Sequence, residues 1–185
     1  MSLYSHLPEN SVRLLELLPD VDNVKVIVRC VSLATDVPAF EALSYTWGTE
    51  APTETIQCMK SSEKGELFSF AVTPSLHTAF ECLRATAGKH QSRWLWIDAI
   101  CINQQDNDEK ARQVPLMADI YSTAQRVVVW LGKNDSSSDV VMKEMPALAT
   151  KLSEIEDLSA VGFTTVRSVH ACMIWKNTSF LSFLY

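Results

Sequence analysis

Residues 93–132 carry the clearest pattern of hydrophobic and polar positions in the chain. Residues 94–97 form an apolar run that is too short for a helix and too continuous for a half-exposed strand, so they predict a buried central strand. After a polar loop, apolar positions recur at spacings of three and four from Val114 to Ala124, which predicts an amphipathic helix over 108–124. Residues 126–131 form a second apolar run. Two buried strands joined by a helix predict a βαβ unit with parallel strands in one sheet.

Pro115 lies inside the predicted helix. Its ring removes a backbone donor and crowds the carbonyl of Ala111. We therefore expect a kink at Pro115, or a regular helical part that begins just before it.

The rest of the chain up to residue 93 predicts further strands and one more helix. Residues 12–18 and 24–33 are expected to be strands, the second with one wetter face, and 40–48 predicts a strand that ends near Trp47. Residues 55–59 and 67–73 predict an antiparallel hairpin. Thr73 followed by Pro74 is typical of a helix start, which places a helix at 74–87. The fold class expected is α/β, with a mainly parallel central sheet, flanking helices and an antiparallel hairpin.

The chain divides into three parts by its patterning. Residues 1–10 are expected to be a loose arm and 11–135 the folded domain. Residues 136–185 are expected to form a helical extension, either packed on the core or belonging to an element of the same domain that a longer relative would complete.

Composition narrows the classes of function. The 185 residues are 47% hydrophobic with a net charge of −6 and lack a basic stripe, so we expect no nucleic-acid partner. No long uncharged apolar segment or secretory signal is present in the sequence, so we expect no membrane span. The five cysteines are scattered and odd in number, which predicts reduced thiols, a cytoplasmic location and no metal site.

Asp98 ends the first buried strand and is the first candidate for chemistry. It is either a catalytic or ribose-binding carboxylate, or a structural acid that accepts loop N–H groups or pairs with Arg112. Asn103 and Gln104 follow in the loop, and they either bind the polar edges of a ligand or tie the loop to itself.

Other candidates also have two interpretations each. Glu109 either complements the helix dipole or stabilises a cationic transition state, and Glu41 needs a partner if its strand face is buried. Tyr45 and Trp47 either belong to the core or stack on a ligand ring. Cys101 lacks a histidine base nearby in sequence, which argues against a nucleophilic thiol.

The segments FEALSYTWG at 40–48 and RWLWIDAICINQQDNDEKARQVPLMADIYSTAQRVVVWLG at 93–132 resemble the HET (heterokaryon-incompatibility) domain of filamentous fungi. The opening VRLLELLP at 12–19 is similar to the start of that family. The resemblance implies a cytoplasmic domain that triggers cell death when incompatible strains fuse. It also implies partners among incompatibility or NLR-like signalling proteins, or self-association. The third family motif, a Trp-Arg-x-Trp pattern followed by Gln-Glu, is not found after Gly132, so a short or truncated member is expected.

The HET family is distantly similar to TIR domains, which have a flavodoxin-like fold. Some TIR domains cleave NAD with a glutamate, so the resemblance implies either NAD as a substrate, with no required cofactor, or a non-catalytic interaction module. We expect the 98–109 loop and the end of the 41–48 strand to form one polar cleft. The candidate catalytic carboxylates are Glu109, then Asp98 and Glu41, and the candidate ligand-binding residues are Tyr45, Trp47, Asn103, Gln104 and Arg112.

Overall fold

The structure is a computed structural model that describes residues 3–19, 22–35, 37–61, 66–87, 91–132, 172–173 and 181–182. Within these residues the chain is an α/β domain built on one seven-stranded sheet. The strands are β1 (Ser11–Leu17), β2 (Lys25–Ser32), β3 (Glu41–Tyr45), β4 (Glu54–Lys60), β5 (Leu67–Val72), β6 (Arg93–Trp96) and β7 (Arg126–Trp130). The helices are α1 (Pro74–Ala85), α2 (Asp98–Cys101), α3 (Asn107–Gln113) and α4 (Met117–Thr123), with a 3-10 turn at Val114–Leu116 between the last two.

The sheet is mixed, and the expectation of a mainly parallel sheet is wrong. The strand order is β5-β4-β2-β1-β6-β3-β7, and β1 runs antiparallel to both of its neighbours. Only seven residues separate β1 from β2, and strands joined by so short a connection pair antiparallel. The predicted hairpin of β4 and β5 is confirmed and adds a third antiparallel pair.

The predicted βαβ unit is confirmed. β6 and β7 each pair parallel with β3, which lies between them, so they run in the same direction one strand apart. Helices α2, α3 and α4 make the crossover. The turn of helix at α2 was not predicted, because four residues are too few to show a helical period.

The helix predicted over 108–124 is interrupted at Pro115, as its sequence requires. The 3-10 turn there separates α3 from α4. Val114 was expected on the apolar face, but its side chain is 55% exposed. The buried residues of α3 are instead Glu109 and Gln113, and the Gln113 side chain donates to the Ser11 carbonyl at 2.9 Å.

The helix expected at 74–87 is confirmed as α1. The Thr73 hydroxyl accepts a hydrogen bond from the backbone N–H of Leu76 at 3.3 Å, and Pro74 fills the first turn. Leu76, Phe80 and Leu83 of α1 join the core that covers the sheet.

The described part of the N-terminal arm, residues 3–10, packs on the domain instead of lying loose. Leu3 and Leu7 are buried. The Tyr4 hydroxyl donates to the Ile100 carbonyl at 3.1 Å, and the Ser5 carbonyl accepts from Arg13 at 2.7 Å. The predicted helical extension at 136–185 lies outside the described residues, except that Cys172–Met173 (β8) pairs antiparallel with Leu181–Ser182 (β9).

An ion-pair cluster joins the starts of the three parallel strands. Glu41 of β3 accepts hydrogen bonds from Arg93 of β6 and Arg126 of β7. The Glu41 side chain is only 11% exposed, so both partners compensate a largely desolvated charge.

Replacing Glu41 by glutamine is expected to lower the free energy of unfolding by about 1–3 kcal/mol, because the two arginines lose their counter-charge while one acceptor remains. Urea denaturation of the purified chain measures this difference. Glu54→Gln, at an exposed position of β4, is the control and should change little. A Glu41→Gln variant as stable as the wild type would contradict a structural role for this cluster.

Candidate functional site

The carboxyl ends of β6, β3 and β7 form one edge of the sheet, which we call the carboxyl edge. Residues 46–48 leave β3 there, and Asp98 follows β6. In open α/β sheets, ligands bind beyond the carboxyl ends of parallel strands. This edge therefore brings the two most distinctive stretches of the sequence together at the place where a ligand site is expected.

Trp47 and Asp98 make the contact that joins these stretches. The indole Nε1 of Trp47 donates to Asp98 Oδ1 at 3.2 Å and to Oδ2 at 3.1 Å. The same carboxylate accepts from the backbone N–H of Ala99 at 2.7 Å. The Trp47 side chain is 45% exposed, so its ring is fixed at the N–H end while much of its surface faces solvent. Trp47 is therefore not a core residue.

The charge of Asp98 is not fully compensated. Burial raises the pKa of this carboxyl above its ordinary value, although the N–H groups of Ala99 and Trp47 oppose the shift. Burial, together with the nearby Asp98 carboxylate, also raises the pKa of the Tyr45 and Tyr121 hydroxyls. A partly buried acid held by neutral donors, without a cationic partner among them, is typical of functional sites more than of structural ion pairs.

An open cleft lies beside this contact, along the carboxyl edge and the start of α1. Its volume is about 390 Å³, which is large enough for a small molecule. Two indole rings contribute to its walls, and one of them, Trp130, donates its Nε1–H to the Ser75 hydroxyl at 3.1 Å. The lining residues are Thr46, Trp47, Gly48, Glu50, Pro74, Ser75, Thr78 and Trp130.

Gly48 turns the chain away from the exposed indole. Its φ is +68°, in the left-handed region that residues with a Cβ rarely adopt. The glycine therefore fixes where residues 46–50 enter the cleft wall.

Glu109, the first candidate catalytic acid, lies in a different setting. Its carboxylate accepts two hydrogen bonds from the Arg13 guanidinium, at 2.5 and 3.0 Å, and a third from the backbone N–H of Asn103 at 2.7 Å. Both side chains of the pair are 4% exposed. Burial opposes ionisation, but the bonds from Arg13 and Asn103 outweigh it, and the pKa of Glu109 lies below its ordinary value. Glu109 therefore has a structural role, because its hydrogen bonds hold the 98–109 loop and α3 against β1.

Glu41 is also separated from the cleft. It begins β3, whereas Tyr45 ends that strand, four residues further on. At about 3.3 Å per residue, the two positions are roughly 13 Å apart along the strand. Of the three candidate carboxylates, the structure brings only Asp98 to the aromatic residues of the carboxyl edge.

The polar loop residues tie the loop to itself. Asn103 Oδ1 accepts from the backbone N–H of Gln105 at 3.2 Å, and Gln104 Nε2 donates to the backbone carbonyl of Asp98 at 2.9 Å. Arg112 is exposed on α3, and among the described residues no ion pair or hydrogen bond joins it to Asp98. Nothing in these contacts gives the three residues a shared ligand-facing position.

Other candidate chemistry is limited in the part of the chain that the structure describes. Burial raises the pKa of the Cys101 thiol to about 12, which disfavours the nucleophilic thiolate. Cys30, Cys58, Cys82 and Cys101 form no disulfide bonds. No group of three or more His, Cys, Asp or Glu side chains among the described residues could hold a metal ion, and no described helix has the length and apolar character needed to cross a membrane.

The sequence patterns did not identify several residues of these sites. Arg13 lies in an apolar strand, where a lone charge signals a buried partner, but nothing local indicates that the partner is 96 residues away. Trp130 lies in the apolar run 126–131, which indicates only a buried strand, and it is both 4% exposed and part of the cleft wall. Ser75, Thr78 and Glu50 carry no sequence signal at all.

Comparison with known proteins gives two matches. The sequence profile of the family described as Heterokaryon incompatibility protein (HET) matches residues 40–175. The chain is 41% identical over 143 residues to Heterokaryon incompatibility protein 6, OR allele, of Neurospora crassa, an alignment that covers 73% of this chain and 21% of that protein. The chain thus spans about a fifth of the length of this relative. No solved structure matches the chain.

Proposed function

Because the chain belongs to the heterokaryon incompatibility (HET) family, we propose that it acts in fungal self/non-self recognition, as a cytoplasmic effector of programmed cell death. The family match across residues 40–175 is the observation that carries this proposal. The similarity to a Neurospora protein named for heterokaryon incompatibility supports the same conclusion.

We place the working site at the carboxyl edge, around Trp47 and Asp98. These residues belong to the two stretches that resemble the family most closely, and their side chains meet in a hydrogen bond 51 residues apart in sequence. Stability does not explain the exposure of the Trp47 ring, since a large aromatic side chain contributes more to folding when it is buried.

Expression of the chain in a filamentous fungus is expected to arrest growth, and Trp47→Leu is expected to abolish the arrest. Leu67→Ser is a matched control, because Leu67 is a similarly exposed apolar residue, at 51% against 45%, on β5 at the other end of the sheet. Viable colonies are counted at equal protein abundance. Arrest by Trp47→Leu equal to that by the wild type would remove Trp47 from the working site.

The first mode of action that we propose is cleavage of NAD, as in some TIR domains. The bond between C1′ of the ribose and the nicotinamide nitrogen breaks, nicotinamide leaves as a neutral molecule, and water adds at C1′ with release of a proton. A carboxylate near C1′ stabilises the oxocarbenium-like transition state. Asp98 fits this role better than Glu109 or Glu41, because the other two carboxylates are held by arginines.

A second mode, assembly through surface contacts without chemistry, is supported by one specific observation. Leu131 follows β7 and is 67% exposed, and β7 pairs with β3, which leads to the exposed Trp47. Two large exposed apolar side chains beyond neighbouring strand ends are typical of a protein contact site. Other incompatibility proteins, NLR-like signalling proteins or further copies of this chain are the partners proposed for this mode.

A further inference from the structure

The cleft beside Trp47 has a charge pattern that selects its ligand. Its lining includes one charged residue, the exposed acid Glu50, and no lysine or arginine. Hydroxyl groups and two indoles make up much of the remaining wall. A phosphate or carboxylate would find no cationic side chain in this lining.

The face of Trp47 is prepared for a cation. Its N–H donates to the Asp98 carboxylate. This hydrogen bond polarises the N–H bond and increases the electron density of the ring. Tryptophan is the aromatic side chain that binds cations best through its face. The hydrogen bond also fixes the ring orientation before a ligand arrives, which lowers the ordering cost of binding.

Three half-buried rings of the described chain already carry a protein cation. Arg13 lies over Tyr4 at 5.0 Å, Arg29 over Trp94 at 5.5 Å, and Lys60 over Phe68 at 5.4 Å from ring centroids. No such contact occurs at Trp47 within the residues that the structure describes. Trp47 is the most exposed of the described aromatic side chains, and it lies near the acids Asp98 and Glu50. No protein cation from the described residues covers the face of its ring.

We propose that the cleft lined by Trp47, Glu50 and Trp130 binds a weakly hydrated organic cation, such as a quaternary ammonium or an alkylated pyridinium. The cation lies on the Trp47 face, and Glu50 supplies the opposing charge. The Thr46, Ser75 and Thr78 side chains give the rest of the wall its polar groups. The proposal rests on the proposed function in one respect only, namely that both sites lie at the carboxyl edge. It applies whether the chain acts by assembly or by cleavage of NAD.

Binding to the purified full chain tests the proposal by NMR titration with two pairs of probes. Choline is compared with its neutral isostere 3,3-dimethylbutan-1-ol, and N-methylpyridinium with toluene. Each cation is expected to bind about fivefold more tightly than its neutral isostere, in line with the strength of a partly exposed cation–π contact. Tighter choline binding would identify an ammonium ligand, and tighter pyridinium binding would identify a planar ring.

Three variants locate the effect. Trp47→Leu is expected to abolish the preference for cations, and Glu50→Gln to reduce it about twofold. Leu67→Ser should leave the titrations unchanged. Equal binding of cations and neutral isosteres to the folded wild type, or an unchanged preference in Trp47→Leu, would overturn the proposal. The assay uses no cells and no NAD, so its failure is distinguishable from failure of the proposed function.

Discussion

Replacing Glu109 by glutamine is expected to lower the free energy of unfolding by about 3–5 kcal/mol. The variant keeps the size of the side chain but removes the charge that compensates Arg13, which is 3% exposed. Breaking a buried ion pair from one side costs this much because the remaining charge stays desolvated without a partner. A contribution from the helix dipole alone would be about 0.3–1 kcal/mol.

Urea denaturation of the wild type and of Glu109→Gln measures the difference. Asp108→Asn is the matched control, since Asp108 lies in the same first turn of α3 but is exposed. The control loses only the dipole contribution. A loss no larger than that of Asp108→Asn would contradict the structural role of Glu109.

The same pair of proteins gives a test in acid. The pKa of Glu109 is lowered in the folded state, so its contribution to stability is complete above the ordinary carboxyl pKa of about 4.3 and is lost as the pH falls through the lower folded value. The difference in stability between the wild type and Glu109→Gln should therefore close below about pH 4.

The proposed NAD cleavage predicts a large effect at Asp98. Asp98→Asn is expected to lower the rate of nicotinamide release by at least about 100-fold, because an amide cannot offer the negative charge that stabilises the ribosyl cation. The fold should survive this change. The raised pKa of Asp98 means that its charge costs stability at neutral pH, so the variant should melt close to the wild type.

Purified, concentrated protein is incubated with NAD, and nicotinamide and ADP-ribose are quantified. Asp119→Asn, at an exposed acid of α4, is the control and should release nicotinamide at the wild-type rate. If neither the wild type nor the variants release nicotinamide, cleavage of NAD is excluded, and assembly through Trp47 and Leu131 remains as the proposed mode of action.

The local features of the fold could be predicted from the sequence. The apolar runs of β6 and β7 and the periodic residues between them predicted a parallel βαβ unit, and Thr73-Pro74 predicted the start of α1. The antiparallel pairing of β1 with β6 could not be predicted, because alternation of apolar residues identifies a strand but not its neighbours. The same limit explains why the sheet was expected to be mainly parallel.

The meeting of Trp47 with Asp98 was predictable from the sequence, whereas the lining of the cleft was not, because it contains no residue of 98–109. Trp47 and Asp98 both follow strands, and parallel strands end at a common edge, so their proximity was expected. Glu109 was expected in the same cleft because a helix that starts beside the loop can aim its side chain there. The structure turns its side chain to Arg13 on β1, and only the three-dimensional pairing of distant segments decides between these two directions.

The central claim is that the chain acts in incompatibility through the carboxyl edge, and that this action depends on the charge of Asp98 while the fold does not. The most direct measurement is the survival of fungal cells that express the wild type or Asp98→Asn from a repressible promoter, with soluble protein quantified in the same cultures. We predict equal abundance of the two proteins, death with the wild type, and survival with Asp98→Asn. Death with Asp98→Asn at equal abundance would contradict the claim.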